Sequence, residues 1–136
     1  MKTNGVRITG GCLCQKVRYA ADHEPTATGY CHCRMCQRAL GNTFGTWAAF
    51  RLDGFEQTGE EPSWHRSSDI ASRCFCGTCG SPIAYLPKDS DVIYVWLGTL
   101  DDAGRYKPQM HYHVESRIAW ADQQSELPVG GTTYEI

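Results

Sequence analysis

The chain has 136 residues, enough for one domain around a single core. Its formal net charge of −2 gives no global attraction to nucleic acid or to an anionic membrane, and its 41% apolar content suits a soluble globular protein. The start, MKTNGVRITGG, lacks the apolar core of a secretory signal. The longest apolar run, VIYVWLG, falls well short of the ~18 residues a membrane span needs.

The 14 glycines, with Gly-Gly, Asp-Gly and Gly-Asn pairs, favour many short strands over long helices. KVRYAAD (16–22) reads as the first strand. Pro25 and Gly29 interrupt it, and TGYCHC (28–33) resumes. RMCQRAL (34–40) predicts one or two helical turns, stopped by Gly41-Asn42. An aromatic-rich strand follows at TFGTWAAF (43–50), and Asp53-Gly54 marks a hairpin turn. SWHRSS (63–68) and IASRCF (70–75) are short strands before the later cysteines. PIAYL (82–86), DVIYVWLG (91–98) and MHYHVES (110–116) complete the strands. The tail ADQQSELPVGGTTYEI (121–136) is polar and is placed on the surface. The expected architecture is all-β with little helix, one domain over residues 1–136, and cysteines at strand ends and turns.

All eight cysteines fall in three groups: Cys12/Cys14, Cys31/Cys33/Cys36 and Cys74/Cys76/Cys79. A cytoplasmic location is the default for a chain without a signal. Reductants there keep thiols free, so clustered cysteines point to metal before disulfides. Cysteines two or three residues apart bridge each other poorly but converge readily on one ion. Zinc is the simplest occupant of such soft ligands. Cys76 and Cys79, in CGTCG, have the form of a zinc knuckle, and a knuckle supplies two of the four ligands a closed site needs. Cys12 and Cys14 are the natural partners, which would tie the N-terminus to the middle of the chain. That leaves Cys31, Cys33 and Cys36 as a three-sulfur set. Cys74 is left over. It either packs in the core as a small hydrophobe or supplies a fourth sulfur that closes the second site.

GGCLCQKVRY, CHCRMCQ, FCGTCGSPI, LGTLDD and the pattern P-x-x-H-Y-H-V-E-S-R-x-x-W together resemble the glutathione-dependent formaldehyde-activating family, which includes the centromere protein V group. The match covers about residues 10–120. The resemblance implies an all-β, Mss4-like fold and two zinc ions. One would be structural, on Cys12, Cys14, Cys76 and Cys79. The other would be held by Cys31, Cys33 and Cys36, where the family's chemistry is placed. Two departures stand out. Gln15 occupies a position often held by glycine, and Cys74 lies outside the family pattern.

The resemblance further implies a carbon–sulfur lyase that joins glutathione, a small thiol, to formaldehyde. Zinc with an open position lowers the pKa of a bound thiol. Three thiolates on Zn²⁺ leave a charge of −1, and a fourth makes it −2. Such a centre polarises a carbonyl poorly, so its expected task is to bind and orient a thiol. Donors must offset that charge, and Arg34, Arg38 and the backbone NH groups of residues 33–37 are the local candidates. Arg66, Arg73, Lys107 and Arg117 are candidate partners for the two glutathione carboxylates. A non-catalytic zinc module for structure or interaction is the alternative reading. His111 and His113 would share one face of an extended strand and are read first as structural. His32, between two cysteines, is a candidate for a supporting or proton-shuttling role. Trp47, Phe50, Tyr94, Trp96 and Trp120 are read as core aromatics, some lining a pocket mouth. Asp101-Asp102 is read as a turn, not a catalytic carboxylate pair.

Overall fold

A computed structural model describes residues 5–122 and 126–130. The elements in chain order are β1 (Ile8–Gly11), β2 (Arg18–Ala21), β3 (Ala27–Cys31), α1 (Arg34–Leu40), β4 (Gly45–Arg51), β5 (Phe55–Gln57), β6 (Ser63–Arg66), β7 (Ala71–Phe75), β8 (Pro82–Pro87), β9 (Val92–Trp96) and β10 (His111–Tyr112). The all-β expectation holds, and α1 falls where RMCQRAL predicted it. β1 and β5 are too short and too glycine-flanked to give a periodic signal, and the sequence reading missed both as strands. The polar tail falls partly outside the described residues, at 123–125 and 131–136; of the rest, Leu127 and Val129 are exposed. No helix among the described residues is long and apolar enough to cross a membrane.

Two sheets form. One has the order β1-β2-β5, and the other has seven strands in the order β10-β3-β4-β9-β8-β7-β6. Side chains on a strand alternate between faces, and this sorts the large sheet into two surfaces. Ala48, Phe50, Ile93, Val95, Ala84 and Cys74 join the main core, with Tyr19 and Ala21 from the small sheet. The alternate residues Trp47, Tyr94, Trp96, Tyr85 and Arg73 lie on the other face. The register carries this row across the strands: Trp47 opposite Trp96, Tyr94 opposite Tyr85, and Tyr85 opposite Arg73.

The predicted strand at 110–116 is mostly absent. Only His111 and Tyr112 pair, in parallel with Tyr30 and Cys31. His113 then adopts a left-handed conformation at φ 57°, and a 3-10 turn follows over Val114–Ser116. The reversal at His113 removes the shared face expected for His111 and His113.

Candidate metal centres

The four-sulfur cluster is built by two tight turns at the edge of the main core. After β1, Cys12 begins a turn in which its NH donates to Val17 O at 3.1 Å and its carbonyl accepts from Gln15 N at 3.1 Å. Gln15 sits at φ 67°, a left-handed conformation that glycine adopts without strain. The departure from glycine is offset by the side chain: Gln15 Nε2 donates to Cys12 O at 2.8 Å, and Oε1 accepts from Arg18 Nη1 at 2.7 Å. The second turn is the knuckle, where Thr78 N and Cys79 N each donate to Cys76 Sγ at 3.4 Å, and Gly80 reverses the chain at φ 78°. Val17 N donates to Cys12 Sγ at 3.3 Å.

The sulfurs of Cys12, Cys14, Cys76 and Cys79 all lie within 4.8 Å of one another. Cys12 and Cys14 sulfurs are 3.5 Å apart, and Cys14 and Cys76 sulfurs 3.7 Å. A disulfide would need about 2 Å, and none of the cysteines is bridged. Tetrahedral zinc with bonds of ~2.3 Å separates its sulfurs by roughly 3.8 Å, so the donor set fits that ion. The hydroxyl of Ser81, 3.1 Å from Cys79 Sγ, pulls the Cys79 thiol down to about 5 and favours the thiolate a metal needs.

The three-sulfur cluster lies at the start of α1, on the aromatic face of the large sheet. Cys31 ends β3, Cys33 is the N-cap of α1 and its sulfur accepts from Cys36 N at 3.3 Å. Cys36, Gln37 and Leu40 form the inward face of the helix. Gly45 stands opposite Cys31, and a Cβ there would meet Trp96 at 2.8 Å and Leu40 at 2.9 Å. Glycine at that point lets Trp96 and Leu40 close around the triplet, with Trp47 and Tyr85 completing the apolar wall. Cys31, Cys33 and Cys36 sulfurs lie within 4.8 Å of one another, with no fourth His, Cys, Asp or Glu ligand among the described residues.

A half-buried cation borders this triplet. Arg73 Nη2 lies 3.6 Å from Cys36 Sγ, and its guanidinium is 4.9 Å from the Tyr85 ring centroid and 5.7 Å from that of Trp96. The Cys36 thiol is pulled down to about 5, first by the hydrogen bond from Cys31 and then by Arg73. The Cys31 thiol is correspondingly pushed up, because it shares its proton with Cys36. Arg34 and Arg38 do not take the place assigned to them as charge-offsetting donors. Both are exposed; Arg34 donates to Gln37 Oε1, and neither donates to a triplet sulfur among the described residues. Of the other basic candidates, Arg66 pairs with Asp69 at 3.6 Å, Arg117 with Asp122 at 3.6 Å, and Lys107 lines a cleft with Glu24 and Arg105. They do not form one carboxylate-binding patch.

The segment after Lys107 clasps the triplet loop from behind. Tyr30 N donates to Met110 O at 2.8 Å and His32 N to Tyr112 O at 2.9 Å. Gln37 Nε2 donates to His32 O at 2.8 Å and to Ser116 O at 3.1 Å. His32 is fully buried, and its Nε2 meets His111 Nδ1 at 2.8 Å, with Asp122 Oδ2 3.5 Å from the same His111 nitrogen. The ring centroids are 5.1 Å apart, so the nitrogens meet edge to edge as in an N–H···N hydrogen bond. These three side chains could also group around an ion, but the edge-to-edge approach is that of a hydrogen bond. Burial, and next Arg117, push the His32 pKa down. His113 takes no part; it is exposed beside Glu115. The sequence reading missed Gln37 and Asp122. Gln37 had a signal: it sits at the i+1 and i−3 positions of Cys36 and Leu40, on the inward face of the helix.

Cys74 lies with neither cluster. It is 3% exposed, opposite Ala84 and Trp64, and joins the main core beside Ile83. Burial pushes its thiol up to about 12. Arg73 and Cys74 are neighbours on β7, so one faces the triplet and the other the core. That alternation is why Cys74 does not close the second site. Trp96 and Phe50 are buried, and Trp47 and Tyr94 half-buried. Trp120 departs from the core reading: it is 57% exposed. Asp101 accepts from Thr9 Oγ1 at 2.6 Å and Arg18 Nη1 at 2.9 Å, which ties the 97–103 turn to β1 and β2.

The family model described as glutathione-dependent formaldehyde-activating enzyme matches residues 7–116. A Schizosaccharomyces pombe protein named as an uncharacterized lyase is 26% identical over 91 residues, covering 65% of this chain and 66% of its own length. A crystal structure of a Rhodobacter sphaeroides protein superposes with a TM-score of 0.57 at 19% identity, covering 76% of this chain and 98% of that one. The last likeness is one of fold.

Proposed function

This chain belongs to the glutathione-dependent formaldehyde-activating enzyme family, and we propose that it acts as a single-domain, zinc-dependent carbon–sulfur lyase on a small thiol adduct. The observation that carries the reading is the inequality of the two clusters. One gathers four sulfurs, and the other gathers three with no fourth protein ligand among the described residues. A closed site is structural, whereas an open one admits a ligand. Cys12, Cys14, Cys76 and Cys79 would hold the structural zinc, and Cys31, Cys33 and Cys36 the second. The lyase name of the Schizosaccharomyces pombe relative is in keeping with this assignment.

The namesake reaction adds glutathione to formaldehyde. The thiol sulfur bonds to the carbonyl carbon, the C=O π bond opens, and the thiol proton ends on the new hydroxyl oxygen. The product is S-hydroxymethylglutathione, and no oxidant or reductant is consumed. When bound, zinc would keep an incoming thiol as a thiolate at neutral pH. The chain's own residues orient that sulfur: the cap geometry of Cys33 and Cys36 sets two of the three protein sulfurs, and the clasp through His32 and Gln37 holds their loop in place. Trp96, Trp47 and Tyr85 exclude water from the sheet side.

Zinc content and turnover test this together. The purified protein is expected to carry two zinc ions per chain and to accelerate formation or breakdown of the glutathione–formaldehyde adduct. A two-zinc protein with no effect on the adduct would remove glutathione and formaldehyde as substrates. A protein with one zinc, bound at the four-sulfur cluster, would overturn the open-site reading.

A further inference from the structure

We propose that Arg73 is the positioning residue that makes the three-sulfur centre select an anionic thiolate over neutral ligands. This rests on the zinc reading above. Arg73 is permanently charged, and its side chain reaches one sulfur of the triplet, Cys36, at 3.6 Å. Its Nε and Nη1 are buried without a hydrogen-bond partner, and no carboxylate pairs with it among the described residues. Arg73 as a whole is half-buried, but desolvating part of a guanidinium without a counter-charge is still costly. Among the described residues, the only negative charge in contact with this one is the thiolate cluster itself.

The charge count turns that contact into selectivity. Three thiolates with Zn²⁺ carry −1, and Arg73 brings the centre to neutrality. An incoming thiolate then leaves a net −1 in place of −2, while a neutral ligand gains nothing from the cation. The aromatic rings of Tyr85 and Trp96 hold the guanidinium at the sulfurs, and the opposition of Arg73 and Tyr85 across β7 and β8 fixes its place in the sheet. A lysine could supply the charge but not the planar stacking. Arg34 and Arg38, nearer in sequence, point to solvent and cannot substitute.

The test compares wild type, Arg73→Gln and Arg73→Lys, each loaded with cobalt(II) in place of zinc. Metal per chain is counted, and the visible spectrum is followed during titration with 2-mercaptoethanol, glutathione and, as the neutral ligand, imidazole. Arg73→Gln is expected to keep both metals and to lose at least about tenfold in thiol affinity, as removal of one nearby unit charge implies. Imidazole affinity should move far less, and Arg73→Lys should recover part of the thiol preference. A thiol-to-imidazole preference unchanged in both variants, or loss of the second metal in both, overturns it while leaving a two-metal wild type intact. A wild type that takes up one metal overturns the zinc reading and this inference with it.

Discussion

The two cysteine clusters use the same chemistry of backbone NH groups on sulfur, yet their surroundings differ in kind. At the four-sulfur cluster the NH donors come from two turns more than 60 residues apart in sequence, around Cys12 and around Cys76. No guanidinium contacts those sulfurs among the described residues, and the turns lean on the main core through Cys12 and Cys76. At the three-sulfur cluster all the cysteines come from one short stretch, and distant parts of the chain supply Arg73 from β7, Trp96 from β9, and the clasp from residues 110–122. The first cluster ties the fold together, and the second is something the fold encloses. The ligand exchange proposed for the second cluster would gain from that separation, because its opening need not loosen the core.

The strongest way to break the comparison is Cys76→Ser. It should release the structural metal and with it the cooperative unfolding transition, since structural zinc binding contributes roughly 10–16 kcal/mol in small zinc domains; thermal melting followed by circular dichroism with metal analysis reads this out. A protein that still melts cooperatively with one metal fewer would make the two clusters equivalent. Cys36→Ser should do the opposite. It should lose one metal and with it the spectral response to thiol, yet keep the other metal and melt within a few degrees of wild type. His111→Ala comes next. It leaves the buried His32 Nε2 unpaired, at a cost of about 1–3 kcal/mol, and chemical denaturation should show that loss together with weaker retention of the second metal only.

Cys74→Ala sharpens the comparison from the other side. It removes a buried sulfur from the core and should cost roughly 1–2 kcal/mol while both metals stay bound. Loss of either metal would make Cys74 a ligand. The smallest effect is at Asp101, whose carboxyl is held at about 2 by the hydrogen bonds from Arg18 and Thr9. A depressed carboxyl stabilises the fold above its unfolded value of about 3.9 and loses that contribution as pH falls toward 2. Asp101→Asn should therefore destabilise by no more than about 1 kcal/mol at pH 7, because the pair is exposed and screened. The gap to wild type should close as the pH falls from 4 to 2.

Much of the candidate site was legible in the chain because cysteine ligation is a matter of counting. Once Cys76/Cys79 needed a second pair, Cys12/Cys14 was the natural candidate and Cys31/Cys33/Cys36 remained as three. The helix at 34–40 was legible for the same local reason, with Gly41 as its stop at φ 60°. The strand at 110–116 was not. Its alternation of aromatic and polar residues reads as extended, but among the described residues only Tyr30 and Cys31 on β3 pair with it, and His113 turns away after two residues. The cation beside the triplet was not legible either. Sequence proximity favoured Arg34 and Arg38, but on so short a helix the inward face is already filled by Cys36, Gln37 and Leu40.

Spacing along the chain determined which sulfurs belong together, because ligands two or three residues apart reach one ion whatever the rest of the fold does. What faces those sulfurs is set by strand register and by the alternation of side chains across a sheet, and neither is a local property. Arg73 and Cys74 are adjacent letters, and either one could have met the triplet. The pairing of β7 with β8 put the cation there and buried the thiol in the core, which left the second cluster with three protein sulfurs and a positive neighbour.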